Sequence, residues 1–226
     1  MARRIASIGT PEALAVLVER LGKIDDQKKR LAILRGTAEA MKGRRQIAMP
    51  EGWPELFKKL AASEDPEIRS HAIALAVTFG DPKAMESLRK GLADMKADVG
   101  QRREAMQSLL TARDPKLAAT LQKLVTEPAL RREALRGLAA YDDSQTPGVI
   151  LGIYSSLSIE EKRDALNTLV ARPAYAKALL AAVAGKRIAA TEIPAELIRN
   201  LRNVQDDDLQ KQVAEVWGIL RDTPED

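Results

Sequence analysis

The sequence has no cysteine and a single histidine, His71, among its 226 residues. The absence of cysteine excludes disulfide bonds, thiolate metal sites, iron–sulfur clusters, covalently attached haem and cysteine nucleophiles. With one imidazole, multi-histidine metal sites are excluded too, and we expect neither a metal nor a cofactor. Aromatic residues make up only 3% of the chain although hydrophobic residues make up 45%, so alanine and leucine dominate. That composition suits closely packed helices better than strands.

Long apolar runs are also missing. No stretch reaches the roughly 18 apolar residues that would predict a membrane-spanning helix, so we expect no membrane partner. Residues 1–5 are followed by mostly polar residues, so the start does not resemble a signal peptide. The compartment stays open: a complete chain would be cytoplasmic, whereas a piece cut from a longer secreted protein would be periplasmic or otherwise extracytoplasmic.

The charge is only mildly basic but is unevenly distributed. The net charge is +4, with 13 basic and 7 acidic side chains in residues 1–60 against 10 and 12 in residues 145–226. A balance of this size does not by itself indicate a nucleic-acid partner.

Proline placement marks the starts of predicted helices. Seven prolines begin amphipathic segments: Pro11, Pro54, Pro82, Pro115, Pro147, Pro173 and Pro194. Four follow a residue that caps helices, in the pairs Thr10-Pro11, Asp81-Pro82, Asp114-Pro115 and Thr146-Pro147. Proline suits the first helical position because the N–H that it lacks would have no partner there. The pattern predicts about twelve or thirteen helices, most of them ~18 Å long, and no strand.

The predicted helices recur in pairs. One helix of each pair carries a basic residue followed three positions later by alanine, and these alanines are Ala72, Ala105, Ala134 and Ala165. The other helix begins at a proline, which predicts helices over 82–94, 115–126, 147–157 and 173–184. A two-helix unit with a period near 30 residues is typical of an α-solenoid, in which each pair buries its apolar stripe against its neighbours.

Residues 65–75 and 80–82 carry a family resemblance. The run Asp-Pro-Glu-Ile-Arg-Ser-His-Ala, followed by Gly80-Asp81-Pro82, resembles a HEAT-type repeat. The resemblance implies an all-α fold, a right-handed α-α superhelix of about five to six helix pairs in one domain, 1–226. Its expected parts are a loose repeat at 24–45, repeats at 52–94, 98–126, 128–157 and 158–186, and a C-terminal cap at 192–221.

The C-terminal part has a second resemblance. Residues 193–198 through 213–218 are similar to helices that precede a c-type haem domain in some large secreted bacterial proteins. In those proteins a HEAT-like segment lies between a dehydrogenase-like propeller and the haem domain. The resemblance implies that this chain is an excised middle domain whose parent carries the redox chemistry. The terminal helix with Val213, Val216, Trp217 and Leu220 would then be either a cap or a docking face for a following domain.

A column of charges should run along the repeats. Its members are the basic residues Arg69, Arg102, Arg131 and Lys162, with Glu104, Glu133 and Asp164 among them. One interpretation is a track for an anion or nucleic acid, and the other is a ladder of ion pairs between repeats. We favour the ladder because the interleaved acids would quench a phosphate-binding field. His71 falls in the same polar column and is read as a ladder residue rather than as a general base.

The sequence contains no motif that would bring reactive groups together, so we expect a non-catalytic module for protein–protein interaction or interdomain scaffolding. We expect it to be a monomer whose partner is a protein or a neighbouring domain. Candidates for its concave binding face are Lys83, Arg89, Lys116, Lys123, Tyr154 and Tyr175. Trp53, in the connection 43–54, either binds a partner or staples that connection to the next helix. The alternative is a HEAT-like DNA-binding protein or alkylpurine DNA glycosylase, which the scarcity of aromatic residues disfavours.

Overall fold

The computed structural model describes residues 1–41, 44 and 47–218, and within them the chain folds into helices without any strand. The α-helices are α1 (Ala2–Ile8), α2 (Pro11–Lys23), α3 (Gln27–Met41), α4 (Trp53–Ala61), α5 (Pro66–Thr78), α6 (Pro82–Ala93), α7 (Val99–Thr111), α8 (Ala118–Leu124), α9 (Arg131–Leu138), α10 (Thr146–Ile153), α11 (Ile159–Leu169), α12 (Pro173–Ala184), α13 (Ala195–Arg202) and α14 (Asp207–Trp217). Short 3₁₀ turns lie at Tyr154–Ser156 and Ala190–Glu192. The predicted all-α class is confirmed.

Side-chain caps begin several helices as the sequence predicts. Thr10 accepts a hydrogen bond from the backbone N–H of Ala13 at the start of α2. At the start of α6, Asp81 accepts from the N–H groups of Lys83 and Ala84. Each cap satisfies N–H groups that have no partner inside the helix, and the proline that follows supplies a helical φ.

Two expected caps are wrong. Asp114 does not cap α8, which begins at Ala118; it is 5% exposed and accepts a 2.6 Å hydrogen bond from Arg89 Nη1. Thr146 is itself the first residue of α10, is fully buried, and accepts a hydrogen bond from Gln122 Nε2. In both cases the expected cap instead accepts a hydrogen bond from a partly buried side chain of another helix.

The described chain divides into two compact units, the N-terminal unit up to Asp114 and the C-terminal unit from Pro115 onward. Within the N-terminal unit α1 packs on α3, α3 on α5 and α5 on α7, while α2 packs on α4. The C-terminal unit repeats this alternation, with α9 on α11, and α8, α10, α12 and α14 in succession. Each unit therefore contains helices that stack on the second helix along the chain. The repeat boundaries stay a prediction, and residues 42, 43, 45, 46 and 219–221 of the predicted segments, Leu220 among them, lie outside the described residues.

An arginine near the start of several helices binds the preceding turn. Arg69 Nη1 donates to the carbonyls of Ser63 at 2.6 Å and Glu64 at 2.8 Å. Arg131 is the first residue of α9, and its Nε and Nη2 donate to the carbonyls of residues 125 and 126. Arg30 reaches the carbonyl of Ile24 in the same way, six residues back. These arginine clamps satisfy carbonyls in the turns where one helix ends and the next begins.

We expect Arg69→Met to lower the free energy of unfolding of the chain by about 2 kcal/mol, because two charge-assisted hydrogen bonds are lost while the apolar stem is kept. Urea unfolding followed by circular dichroism measures the change. Arg20→Met, at an exposed position on α2, is the control and should change stability by less than about 0.5 kcal/mol. Equal stability of the two variants would contradict the clamp.

Candidate functional site

An open groove of about 440 Å³ lies between α2 and α4 in the N-terminal unit. Its apolar floor and walls consist of small or aliphatic residues: Ala15, Val16, Val18, Gly22, Gly52 and Leu56. Three carboxylates and one amine also line it: Glu19, Glu51, Glu55 and Lys59. We call this feature the α2/α4 groove.

The local sequence explains the shape of the α2/α4 groove. Ala15, Val18 and Gly22 recur at helical spacing, so they lie on one side of α2. Gly52 caps α4 with φ +75°, a left-handed conformation that favours glycine. A Cβ at Gly52 would lie 3.4 Å from Val18 Cγ1, so the absent side chain also keeps this end of the groove open.

Val16 distinguishes the α2/α4 groove from an ordinary surface hollow. Its side chain is 53% exposed, whereas Leu14, Leu17 and Val18 of the same helix are buried in the core. Val16 therefore adds apolar surface at the groove that the fold itself does not bury. The sequence patterns did not point to this groove. The one local signal is Val16, an apolar residue that lies off the buried stripe of α2.

The carboxylates on either side of the groove are solvated. Glu19 pairs with Lys23 at 2.5 Å and Glu55 pairs with Lys58 at 2.9 Å, each within one helix and with all four side chains more than half exposed. Hydrogen bonds and the positive charge from these lysines lower the pKa of Glu19 and of Glu55 below the ordinary value of 4.5. Such exposed pairs contribute little to stability, so they leave the glutamates available to other cations.

A second, smaller cavity of about 210 Å³ lies among α4, α5, α6 and α7. Its walls include Phe57, Ile73 and Leu88, and its polar members include Gln101 and Arg102. Arg102 is only 2% exposed, and its Nε donates to the carbonyl of Leu92 at the end of α6. The guanidinium is therefore engaged with the fold.

The three aromatic candidates for partner binding lie in the core. Trp53, Tyr154 and Tyr175 are 1%, 4% and 1% exposed, so the expectation that they contact a partner is corrected. Trp53 packs edge-on against Phe79 at 4.9 Å, the arrangement expected of a residue that staples its connection to the fold. Burial, reinforced by the negative charge of Glu192, raises the pKa of Tyr154 to about 12.

Tyr175 joins two parts of the C-terminal unit. Its hydroxyl donates to the carbonyl of Tyr141 and accepts from the backbone N–H of Asp143, both at 2.8 Å. The tyrosine thus fastens α12 to the turn between α9 and α10. This is a structural role, and no signal in the sequence distinguishes it from a surface role.

The four basic candidates are divided between the two units. Lys83 is exposed on α6 in the N-terminal unit, whereas Lys116 and Lys123 are exposed in the C-terminal unit. Arg89 is half-buried and engaged with Asp114. Neither unit by itself therefore contains all four basic residues of the predicted binding face.

Several ion pairs join a residue of one helix to a residue of a later helix or turn. They are Arg35–Glu67, Arg131–Glu161, Arg132–Asp164, Lys162–Glu192 and Lys177–Asp206, at 2.5 to 3.0 Å. In each pair the basic residue precedes the acid along the chain by 29 to 32 residues. All five pairs therefore have the basic residue first along the chain and the acidic residue second.

The geometry gives the residues of the expected charge column different partners. Arg131 binds Glu161 rather than its neighbour Glu133, and Asp164 receives Arg132. Lys162 pairs with Glu192 and also lies 5.0 Å from the ring centre of Tyr154. Of the remaining residues of this column, Arg69 and Arg102 bind backbone carbonyls. Glu104 is exposed, whereas Glu133 and His71 are half-buried.

Comparisons with models of protein families, with curated proteins and with solved structures each found no match. Within residues 1–41, 44 and 47–218, no helix is both long and apolar enough to cross a bilayer. The same residues contain no cluster of three histidine, cysteine, aspartate or glutamate side chains placed to hold a metal ion.

We expect Tyr175→Phe to lower the free energy of unfolding by about 1–3 kcal/mol, because the partly buried carbonyl of Tyr141 and N–H of Asp143 lose their shared partner. Urea unfolding measures this change. Lys123→Ala removes an exposed side chain in the same unit and should have an effect below about 0.5 kcal/mol. A wild-type midpoint for Tyr175→Phe would contradict the stabilising role of these two hydrogen bonds.

The stability of the chain should fall in acid partly through Glu161. The backbone N–H of Ser158, and then Arg131, lower the pKa of Glu161 below its ordinary value of 4.5. A carboxylate whose folded pKa is lowered stabilises the fold above the unfolded value, and this contribution is lost as the pH falls through the folded pKa.

Glu161→Gln should therefore show a smaller loss of stability than the wild type when unfolding midpoints are measured between about pH 6 and pH 3. Glu160→Gln, exposed one residue earlier on α11, is the matched control and should keep the wild-type slope. Parallel pH profiles for wild type and Glu161→Gln would exclude this role for Glu161.

Proposed function

We propose that this chain is a HEAT-like, right-handed solenoid that serves as a non-catalytic interaction or interdomain scaffold module. The support for the solenoid is the alternation of packing partners within each unit, together with the repeat length near 30 residues. If the chain belongs to a larger haem-containing dehydrogenase-like protein, its partner is a neighbouring domain of the same polypeptide.

The observation that carries this proposal is the α2/α4 groove. Its volume of about 440 Å³ falls within the range of about 300–1,000 Å³ that binding clefts occupy. It is open to solvent along two helices and offers an unburied valine rather than a converging set of reactive groups. Such a surface is suited to docking a side chain or a short helix.

The use of charged groups supports a scaffold rather than a catalyst. Arg89, Arg131 and Arg132 each pair with a carboxylate of another element, and Arg69 and Arg102 bind carbonyls. These interactions hold helices together, so the groups are committed to the fold. A catalytic acid or base would instead have to face a substrate.

The burial of aromatic rings favours a protein partner over a nucleic acid. None of the seven aromatic side chains, all of which are among the described residues, is in an exposed position. Readers of flipped or single-stranded bases rely on accessible rings for stacking. The glycosylase alternative therefore gains no support from the arrangement.

We expect the purified, immobilised chain to retain one or a few proteins, in amounts comparable to the bait, from an extract of cells that produce it. Quantitative mass spectrometry against a helical bait of matched size and charge measures the enrichment. The reason is that a scaffold module has a specific partner at its working concentration. Retention of no protein above the control bait would contradict the proposed function.

A further inference from the structure

We propose that the α2/α4 groove binds one amphipathic α-helix of a partner protein, through apolar side chains spaced along one helix face and flanking lysine or arginine residues. This inference rests on the proposed interaction function and specifies where the partner binds and what its chemistry is.

The length of the α2/α4 groove matches two turns of helix. Its walls run from Ala15 to Gly22 on one side and from Gly52 to Lys59 on the other. Seven residues of helix span ~10 Å, which corresponds to anchors at positions i, i+3 or i+4, and i+7 of a bound helix. The small residues Ala15, Gly22 and Gly52 leave room for such anchors.

The apolar contact has a defined centre at Val16. Its side chain is 53% exposed at the wall of the groove, above a floor that includes the buried residues Val18 and Leu56. An anchor that covers Val16 removes apolar surface from water on both partners. A single exposed valine is ordinary on a protein surface, but here it lines a groove of about 440 Å³.

The charge of the groove favours a basic occupant. Glu19, Glu51 and Glu55 line it against Lys59, a net charge of −2 in a segment, residues 1–60, whose 13 basic and 7 acidic side chains make it basic overall. Lys23 and Lys58 pair with Glu19 and Glu55 but do not line the groove.

These lysines do not block a basic partner. Exposed ion pairs of this kind are weak, so a cation carried by the bound helix can replace them without a large loss of free energy. Glu51 has no ion pair among the described residues and is the carboxylate most directly available. Charge complementarity of this kind selects the partner and its orientation more than it sets affinity.

Two designed peptides test the charge preference. Both are fluorescein-labelled helices of about four turns with leucine at i, i+3 and i+7, and they differ only in carrying lysine or glutamate at the flanking positions. Fluorescence anisotropy at about 0.15 M salt measures binding to the whole chain. We expect the lysine peptide to bind at least about tenfold more tightly than the glutamate peptide. Equal affinities would overturn the proposal.

Two variants test the place of binding. Val16→Lys and Glu51→Lys should each weaken binding of the lysine peptide at least about tenfold, because they add a cation to the groove. Ile159→Lys is the matched control, since Ile159 is 86% exposed and lies in the C-terminal unit; it should leave binding unchanged. Circular dichroism checks that all three variants keep their helices. An unchanged affinity in Val16→Lys, or an equal loss in Ile159→Lys, would overturn the proposal.

The two levels of proposal fail in different ways. If a protein partner captured from the extract binds wild type and Val16→Lys equally, the groove proposal is wrong while the interaction function stands. If no partner is captured at all, the interaction function itself is contradicted. Sedimentation that shows a wild-type dimer abolished by Val16→Lys would assign the groove to a second copy of this chain and overturn the proposed basic helix.

Discussion

The packing of helices on the second helix along the chain, as in α1 on α3 and α9 on α11, is the constraint on which the rest of each unit depends. Ala72, Ala105, Ala134 and Ala165, on α5, α7, α9 and α11, are all buried. A larger side chain at these points would hold the helix axes apart or force the core to rearrange. A helix pair alone cannot bury its apolar stripe, so the stacking and the helices stabilise one another.

The charged residues bind groups of neighbouring turns and helices. Arginine near a helix start lies beside the carbonyls of the preceding turn and binds them, as Arg69 and Arg131 do. Arg132, one position after Arg131, pairs with Asp164 of α11, and Lys162 of α11 pairs with Glu192 in the later 3₁₀ turn. One residue pattern therefore serves two purposes, closing a turn and joining neighbouring helices.

The α2/α4 groove has a different origin from these contacts. It forms where two stacked helices present small residues to the gap between them, and Gly52 keeps its end open. Val16 remains outside the core because the buried stripe of α2 already includes Leu14, Leu17, Val18 and Leu21. The α2/α4 groove, with Val16 beside it, is thus a surface that the packing of α2 on α4 leaves uncovered.

The sequence by itself determined the helical class and several helix starts, such as those at Pro11, Pro66, Pro82 and Pro173, because proline geometry, capping and apolar spacing act over a few neighbouring residues. Only the tertiary structure decided the destinations of individual side chains. Tyr175 and Trp53 are buried, Asp114 serves an ion pair instead of a cap, and Glu161 rather than Glu133 receives Arg131. Each of these outcomes depends on groups about 25 to 34 residues apart in the chain, which local sequence rules cannot rank. The α2/α4 groove is also decided by the tertiary structure, because it exists only where α2 and α4 lie side by side.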